Sequence, residues 1–376
     1  MKLLIDGREA FPEIIRRIRG AQKSISVNMF IWRDDEIGNL IASELFYAAR
    51  RGVKIDITKD RYGIVCECCE ENRASFFHEA PTLMEQIKIS VLTFIYNRDL
   101  LFRKAKGQES GFAAKLRQHP NIRLSADTNR YDHSKYFIFD DEILIMGGIN
   151  IEDKENGKDR LGREYHDYMV EFEGAEYVEA FRAKLSGAAG SACGADGKAG
   201  LFAVNIKSPK RNFELKKRYL DIIDGAKSSL TILMAYFSPE PAFVNAIAAA
   251  VSRGVDVRIV IPKSANLADA TNKRAMEIIK AACPESGRGS LRIYLSDYML
   301  HAKLVMSENE IGLGSCNINK KAFRQLDEAN CFVKNDAAAF AESVRKDVEK
   351  TVAAGTLADG KLSYSRALAL AESVLM

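Results

Sequence analysis

The sequence predicts an α/β protein built as two similar halves. Three observations carry this. A length of 376 residues exceeds one ordinary domain and suits two of moderate size. The segment GAQKSISVNMFIW at 20–32 returns as GAKSSLTILMAYF at 225–237. Further on, ELFYAARRGVKIDI at 44–57 returns as AIAAAVSRGVDVRIVI at 246–261.

The elements follow in order. Each copy of the first segment is preceded by an amphipathic helical pattern, FPEIIRRIR or KRYLDIID, and itself reads as a buried strand. Each copy of the second reads as a helix closed by a glycine, Gly52 or Gly254, then a β-branched strand. Helix, strand, helix, strand, twice over, is the order of an α/β half. Duplication of whole halves implies a pseudo-two-fold relation between them. The N-terminal half runs over 1–185 and the C-terminal half over 201–376, joined by the small-residue linker SGAAGSACGADGKAG at 186–200. From Gly52 to His133 is 81 residues, and from Gly254 to His301 only 47, so the first half carries an insertion near 64–120. Within it, VLTFIYNRDLLFRK at 91–104 is apolar with basic ends. It reads equally as a membrane-interface element or as a core strand followed by a helix. From Asp336 onward the chain reads as helix with an Ala-rich face.

Composition bounds the chemistry. A hydrophobic content of 47% is globular, and a net charge of +4 is a mild basic bias that permits an anionic substrate. No stretch interleaves aromatics with dense Lys and Arg, which weighs against nucleic acid. Seven cysteines, an odd number, do not read as a disulfide framework. Cys66, Cys68 and Cys69 have no companion pair with ligand spacing, so reduced thiols, no metal and no cofactor are expected. The start MKLLIDGREAF lacks the basic and apolar regions of a signal peptide, and no stretch approaches the roughly 18 uninterrupted apolar residues of a membrane span. These features predict a cytoplasmic protein, or one peripheral on the cytosolic side of a membrane.

The chemistry concentrates in a second repeat. His133-Ser134-Lys135 is followed by FIFD ending at Asp140, then by Gly147-Gly148-Ile149-Asn150. His301-Ala302-Lys303 is followed by Gly314-Ser315-Cys316-Asn317. From the histidine to the glycine and to the asparagine is 14 and 17 residues in the first copy, 13 and 16 in the second. On a strand, His and Lys two apart share a face, placing an imidazole beside an ammonium. That pair suits an anion needing both a nucleophile or proton donor and charge stabilisation. Two such pairs fit one phosphodiester. One histidine attacks phosphorus and the other protonates the leaving oxygen. Lys135 and Lys303 hold the non-bridging oxygens, and Asn150, Asn317, Gly148 and Ser315 add donors. Asp167 and Glu328, each before a short apolar run, are candidates to orient the imidazoles, in their own half or the opposite one. Asp140 and Glu308, each five residues past its lysine, read as turn residues. His78, His119 and His166 have no repeat partner, and His166 reads as a neighbour of Asp167.

These motifs resemble the phospholipase D superfamily, whose HxKxxxxD motif occurs twice per active site. The first copy fits in full; the second has Glu308 for the usual Asp and Ala322 where many members have Ser. Within the superfamily, NMFIWRDDEIG (28–38), RGVKIDITKDRYG (51–63), NRYDHSKYFIFD (129–140), GGINIED (147–153), HDYMVEFEG (166–174) and GSCNINKKAFRQLDEANCFV (314–333) resemble bacterial cardiolipin synthases. The resemblance implies halves of mixed β-sheet flanked by helices and a ping-pong reaction through a phosphohistidine. By analogy, His133 is the nucleophile and His301 the general acid, then base. It also implies a phospholipid substrate, phosphatidylglycerol or similar, and phosphatidyl transfer to an alcohol or hydrolysis by water. A nuclease or other phosphodiesterase of the same fold is the alternative. A binding protein that has lost its chemistry is disfavoured by two intact His-Lys pairs.

Overall fold

The computed structural model describes residues 1–69, 75–77, 81–95, 111–157, 159, 162–187, 200–206, 212–283 and 289–375. The first half opens with β1 (Lys2–Ile5), α1 (Asp6–Gly20), β2 (Ser24–Met29), α2 (Glu36–Arg50) and β3 (Lys54–Lys59). Then come α3 (Gly63–Cys69), α4 (Leu83–Ile95), α5 (Gly111–Gln118) and β4 (Ile122–Ser125). It closes with β5 (Lys135–Phe139), β6 (Ile143–Gly147), β7 (Tyr165–His166), β8 (Tyr168–Glu173) and α6 (Ala175–Leu185). The second half opens with β9 (Phe202–Ile206), β10 (Asn212–Phe213), α7 (Glu214–Gly225), β11 (Ser229–Met234), α8 (Pro241–Arg253) and β12 (Asp256–Pro262). Next are α9 (Asp269–Ala282), β13 (Ser290–Ser296), β14 (Met299–Leu300), β15 (Lys303–Ser307) and β16 (Glu310–Gly314). Last are α10 (Lys320–Arg324), β17 (Glu328–Lys334), α11 (Ala339–Ala354), β18 (Thr356–Leu357) and α12 (Arg366–Leu375).

Two mixed sheets repeat one topology. The first has the order β1-β8-β6-β5-β2-β3-β4. The second runs β9-β17-β16-β15-β11-β12-β13, with β10 and β18 added at its edges. In both, three successive strands are parallel, β2-β3-β4 and β11-β12-β13, while the motif-bearing strands join antiparallel, β5 on β2 and β15 on β11. The central strands are buried almost end to end, as β11 and β15 are, because helices cover the sheet.

Each sheet has its own core. Ile25, Val27 and Met29 of β2 pack with Phe11 and Ile14 of α1 and with Ile41 and Leu45 of α2. Leu230, Ile232 and Met234 of β11 pack with Tyr219 and Ile222 of α7 and with Ile247 and Val251 of α8. The helices end as the sequence predicts: Gly52 and Gly254 take φ of 102° and 103°, a left-handed turn that a side chain would strain. Just beyond, the Val53 amide donates to Ala48 O and the Val255 amide to Ala250 O.

By its internal contacts the chain forms two compact units, one of residues 4–165 and 169–179, the other of 1–3, 166–168 and 180–376. The segment His166–Tyr168, encoded in the first half, therefore packs within the C-terminal unit. The linker expected at 186–200 falls mostly on 188–199, outside the described residues, as does His78. In the insertion, Val91–Ile95 form the last turns of α4 rather than a core strand, and 96–104 lie outside the described residues. Among the described residues no disulfide forms, and no helix is long and apolar enough to cross a membrane.

Candidate active site

Strand β15 lies antiparallel beside β11, with Lys303 opposite Met234. The strand begins at the lysine, as β5 begins at Lys135, so each histidine sits in the approach loop rather than on the strand itself. In both copies the lysine is buried and its ammonium donates to the carbonyl of the histidine two residues earlier. This bond ties the two motif side chains to one short stretch of backbone.

Around the second motif the C-terminal unit builds a complete acid–imidazole–ammonium cluster. His301 Nδ1 lies 2.8 Å from Asp167 Oδ2, and Lys303 Nζ lies 3.4 Å from the same oxygen. The Tyr168 amide donates to Asp167 Oδ1 at 2.8 Å. Burial opposes ionisation of Asp167, but the charge of Lys303 and the hydrogen bond from His301 hold its carboxyl below the usual range. An ionised carboxylate only accepts, so Nδ1 carries the proton on the side facing Asp167. The amides of His301 and Ala302 both donate to the carbonyl of His166, at 2.8 and 3.0 Å. His166 is itself fixed: its ring bonds Tyr168 Oη at 3.0 Å and lies 3.0 Å from Asp347 Oδ2 of α11. The expectation that His166 merely flanks Asp167 is thus sharpened, since its backbone and ring fasten Asp167 and His301 together. Tyr236 stands edge-on to the His301 ring, centroids 5.9 Å apart, and its amide donates to Asn317 Oδ1 at 3.3 Å.

The first motif shares the edge-on aromatic but is otherwise framed differently. Phe30 stands edge-on to His133, centroids 4.8 Å apart, and Lys135 Nζ lies 5.1 Å from the Phe30 ring centre. Asn28 Nδ2 donates to the Ser134 carbonyl at 2.9 Å, and Asp132 accepts the Ser134 amide at 2.9 Å. Asp60 accepts the amides of Asp132 and Tyr62, at 2.6 and 2.7 Å. Burial pushes the carboxyls of both Asp60 and Asp132 above the usual range. Asn150 is buried, and its Oδ1 has no protein partner among the described residues, which leaves a buried amide with capacity for a ligand. Gly148 is buried beside it.

The motif acids serve the scaffold in both copies. Asp140 accepts the amides of Gln22, Lys23 and Ser24 at 2.9, 2.7 and 2.9 Å, and Glu308 those of Lys227, Ser228 and Ser229 at 2.9, 3.4 and 3.2 Å. Each ties the motif hairpin to the loop before the central strand. Burial opposes this, but the backbone donors hold both carboxyls below the usual range. Glu308 therefore performs the same task as Asp140.

Strand register identifies the two candidate orienting acids as equivalent. Met169 pairs with Gly147 and Asn330 with Gly314, so Asp167 and Glu328 each stand two residues before the residue facing the glycine. The Ser315 hydroxyl donates to Glu328 Oε2 and accepts from the Ala329 amide at 3.0 Å, while the Ser315 amide donates to Ala329 O at 3.1 Å. Ser315 is fully buried, and its hydroxyl and amide both engage the Glu328–Ala329 segment. The Ala322 amide donates to Asn319 Oδ1 at 2.8 Å, capping α10. His119, at Nδ1, accepts the Asn121 amide and packs on Phe46, a structural role as expected.

Phe30, Asn28, Asp60, Asp132 and Tyr236 escaped the sequence reading. All except Asp132 lie far in sequence from the motif they serve, and only the edge-on aromatic, Phe30 on His133 and Tyr236 on His301, recurs in both halves. A buried Asn within the strand pattern SISVNM was the one visible signal.

Residues 14–187 and 219–352 match the family model described as cardiolipin synthase, PLD-like domain. A cardiolipin synthase of Clostridium perfringens (strain SM101 / Type A) is 26% identical over 357 residues, covering 89% of this chain and 67% of that protein. One of Staphylococcus aureus (strain Mu50 / ATCC 700699) is 27% identical over 352 residues, covering 89% and 63%. The chain thus spans about two thirds of the length of these relatives. The crystal structure of phosphatidylserine synthase from Haemophilus influenzae Rd KW20 shares the fold. Its TM-score is 0.66 at 15% identity, over 98% of this chain and 91% of that one. Polyphosphate kinase from Porphyromonas gingivalis matches with a TM-score of 0.56 at 12% identity, over 100% of this chain and 52% of that one.

Proposed function

Because the chain belongs to the family of cardiolipin synthase PLD-like domains, we propose that it is a phospholipid phosphatidyltransferase acting through a phosphohistidine. Asp167 bound to His301 beside Lys303 is the observation that carries this. It fixes the orientation and tautomer of one imidazole and places a positive charge beside it.

In the reaction, His133 Nε2 attacks phosphorus of the diester while His301 gives its Nε2 proton to the departing alcohol oxygen. The P–O bond breaks, and a P–N bond to His133 forms. Neutral His301 then takes the proton of an incoming hydroxyl, whose oxygen attacks phosphorus and breaks the P–N bond. Lys135, Lys303, Asn150 and Asn317 hold the non-bridging oxygens, with the Gly148 turn beside them. Glu328, equivalent by repeat to Asp167, is assigned as the second acid that orients an imidazole. With phosphatidylglycerol as both donor and acceptor, the products are cardiolipin and glycerol; with water, phosphatidic acid. The lipid resides in a bilayer, so the protein works as a peripheral protein at a membrane surface.

The test is incubation with phosphatidylglycerol vesicles, and separately with DNA, followed by lipid chromatography and gel analysis. Cardiolipin or phosphatidic acid formed by the native protein and lost in both His133→Ala and His301→Ala supports the proposal. Cut strands with unchanged lipid would replace it with the nuclease alternative.

A further inference from the structure

Helix α4 carries an exposed apolar face. Leu83, Met84, Ile87, Val91 and Phe94 are 76%, 62%, 49%, 43% and 77% exposed. On an ideal helix these five positions fall within an arc of about 100°. They make up five of the eleven large hydrophobic side chains exposed among the described residues; the others are scattered. Contiguous exposed apolar surface of this kind marks an interaction site.

The helix is held by its other side. Its one acid, Glu85, is buried and bonds Arg61, Asn129 and the amide of Thr82. Asn129 opens the segment that leads directly into His133. Lys88, the one base of α4, is exposed and places its ammonium 5.3 Å from the Tyr62 ring centre. Tyr62 lies 5.0 Å from Tyr131 and 6.4 Å from Phe30, which touches His133. An aromatic wall thus runs from the flank of α4 to the first motif. Outside this apolar face the exposed side chains of the helix are Gln86, Ser90 and Lys88, so it carries one positive and no negative exposed charge, which complements anionic lipid.

We infer that the exposed face of α4 is an interfacial anchor that beds into an anionic phospholipid bilayer and presents lipid headgroups to His133 along Tyr62, Tyr131 and Phe30. The inference rests on the lipid reading above, yet its test does not need turnover. Sedimentation with phosphatidylglycerol vesicles should recover the native protein, and pure phosphatidylcholine vesicles should recover less. The triple variant Met84→Gln/Ile87→Gln/Phe94→Gln, altered only at exposed positions, should partition at least tenfold more weakly. It should still hydrolyse a small water-soluble phosphodiester at the native rate. Lys88→Glu should weaken partition to anionic vesicles about fivefold. His133→Ala should bind vesicles as the native protein does while losing turnover. Vesicle binding lost in the triple variant supports the anchor even if no cardiolipin forms, in which case only the functional proposal falls. A triple variant that pellets like the native protein overturns the anchor. So does a native dimer, seen by sedimentation velocity, that the triple variant dissociates, since the face would then be a contact between copies.

Discussion

Between histidine and lysine stands Ser134 in the first motif and Ala302 in the second, and the surroundings differ to match. Ser134 is gripped by Asn28 and Asp132. In the second unit the position equivalent to Asn28 is Leu233, and Leu233 and Ala302 are fully buried. There the loop is held through its backbone instead, by the carbonyl of His166. The hairpins differ as well. Phe139 pairs with Ile143 across a three-residue turn, whereas β15 and β16 are joined by Glu308 and Asn309 alone. This one-residue difference is the source of the 14 against 13 spacing between histidine and glycine. In the longer turn Asp140 adopts φ of 54°, a left-handed conformation that short Asp tolerates better than most. Glu308 is not among the residues with positive φ. From its shorter turn, the extra methylene of Glu reaches the equivalent three amides. A duplicated site thus conserves the contact, not the residue.

The largest test of this comparison is at the histidines. If both copies serve one reaction, His133→Ala and His301→Ala should each lower turnover of a generic phosphodiester by about 10³-fold or more. Substantial activity in either variant would make the copies independent. Asp167→Asn keeps the shape but removes the charge that fixes the His301 tautomer, and should cost about a hundredfold in kcat with little change in KM. An unchanged kcat would reduce Asp167 to a structural role. Ser315→Gly imports the residue that the first copy carries at the equivalent position. It should lower kcat up to about tenfold by loosening Glu328, and Ser315→Thr should retain more. Smallest are the motif acids. Asp140→Asn and Glu308→Gln should each cost about 1 to 2 kcal/mol of stability with chemistry on the remaining fold intact. Glu308→Asp, too short for the turn, should cost about 1 kcal/mol. Both carboxyls have folded pKa values below their unfolded ones, so their stabilisation is present above about pH 4 and is lost as pH falls through the folded values. Thermal unfolding of native and variant proteins should therefore converge as the pH falls from about 4 to below the folded values; a gap that does not narrow over that fall would mean that charge is not the cause.

Much of the molecule was legible in the chain. The repeat of helix, strand, glycine-closed helix and strand is written in local periodicity and turn chemistry, which depend on near neighbours. The His-Lys pairs stood out because they occur twice, and the motif acids were read as turn residues from their place after each strand. That Ser315 bonds Glu328 and Ala329 through its hydroxyl and amide was not legible, because the strand partner of a glycine-turn residue is set by tertiary pairing. Asp167 was recognised as an orienting acid, but not as the partner of His301, 134 residues away. Nor could the sequence place the apolar residues of α4 outside the core, because hydrophobicity gives an affinity for burial without supplying a surface to be buried against. Duplication and short-range patterning determined the fold and marked the paired His-Lys motifs as the candidate reactive groups. Which carboxylate meets which imidazole, and which apolar face remains exposed, are contacts between residues distant in the chain, and only the packed tertiary structure decides them.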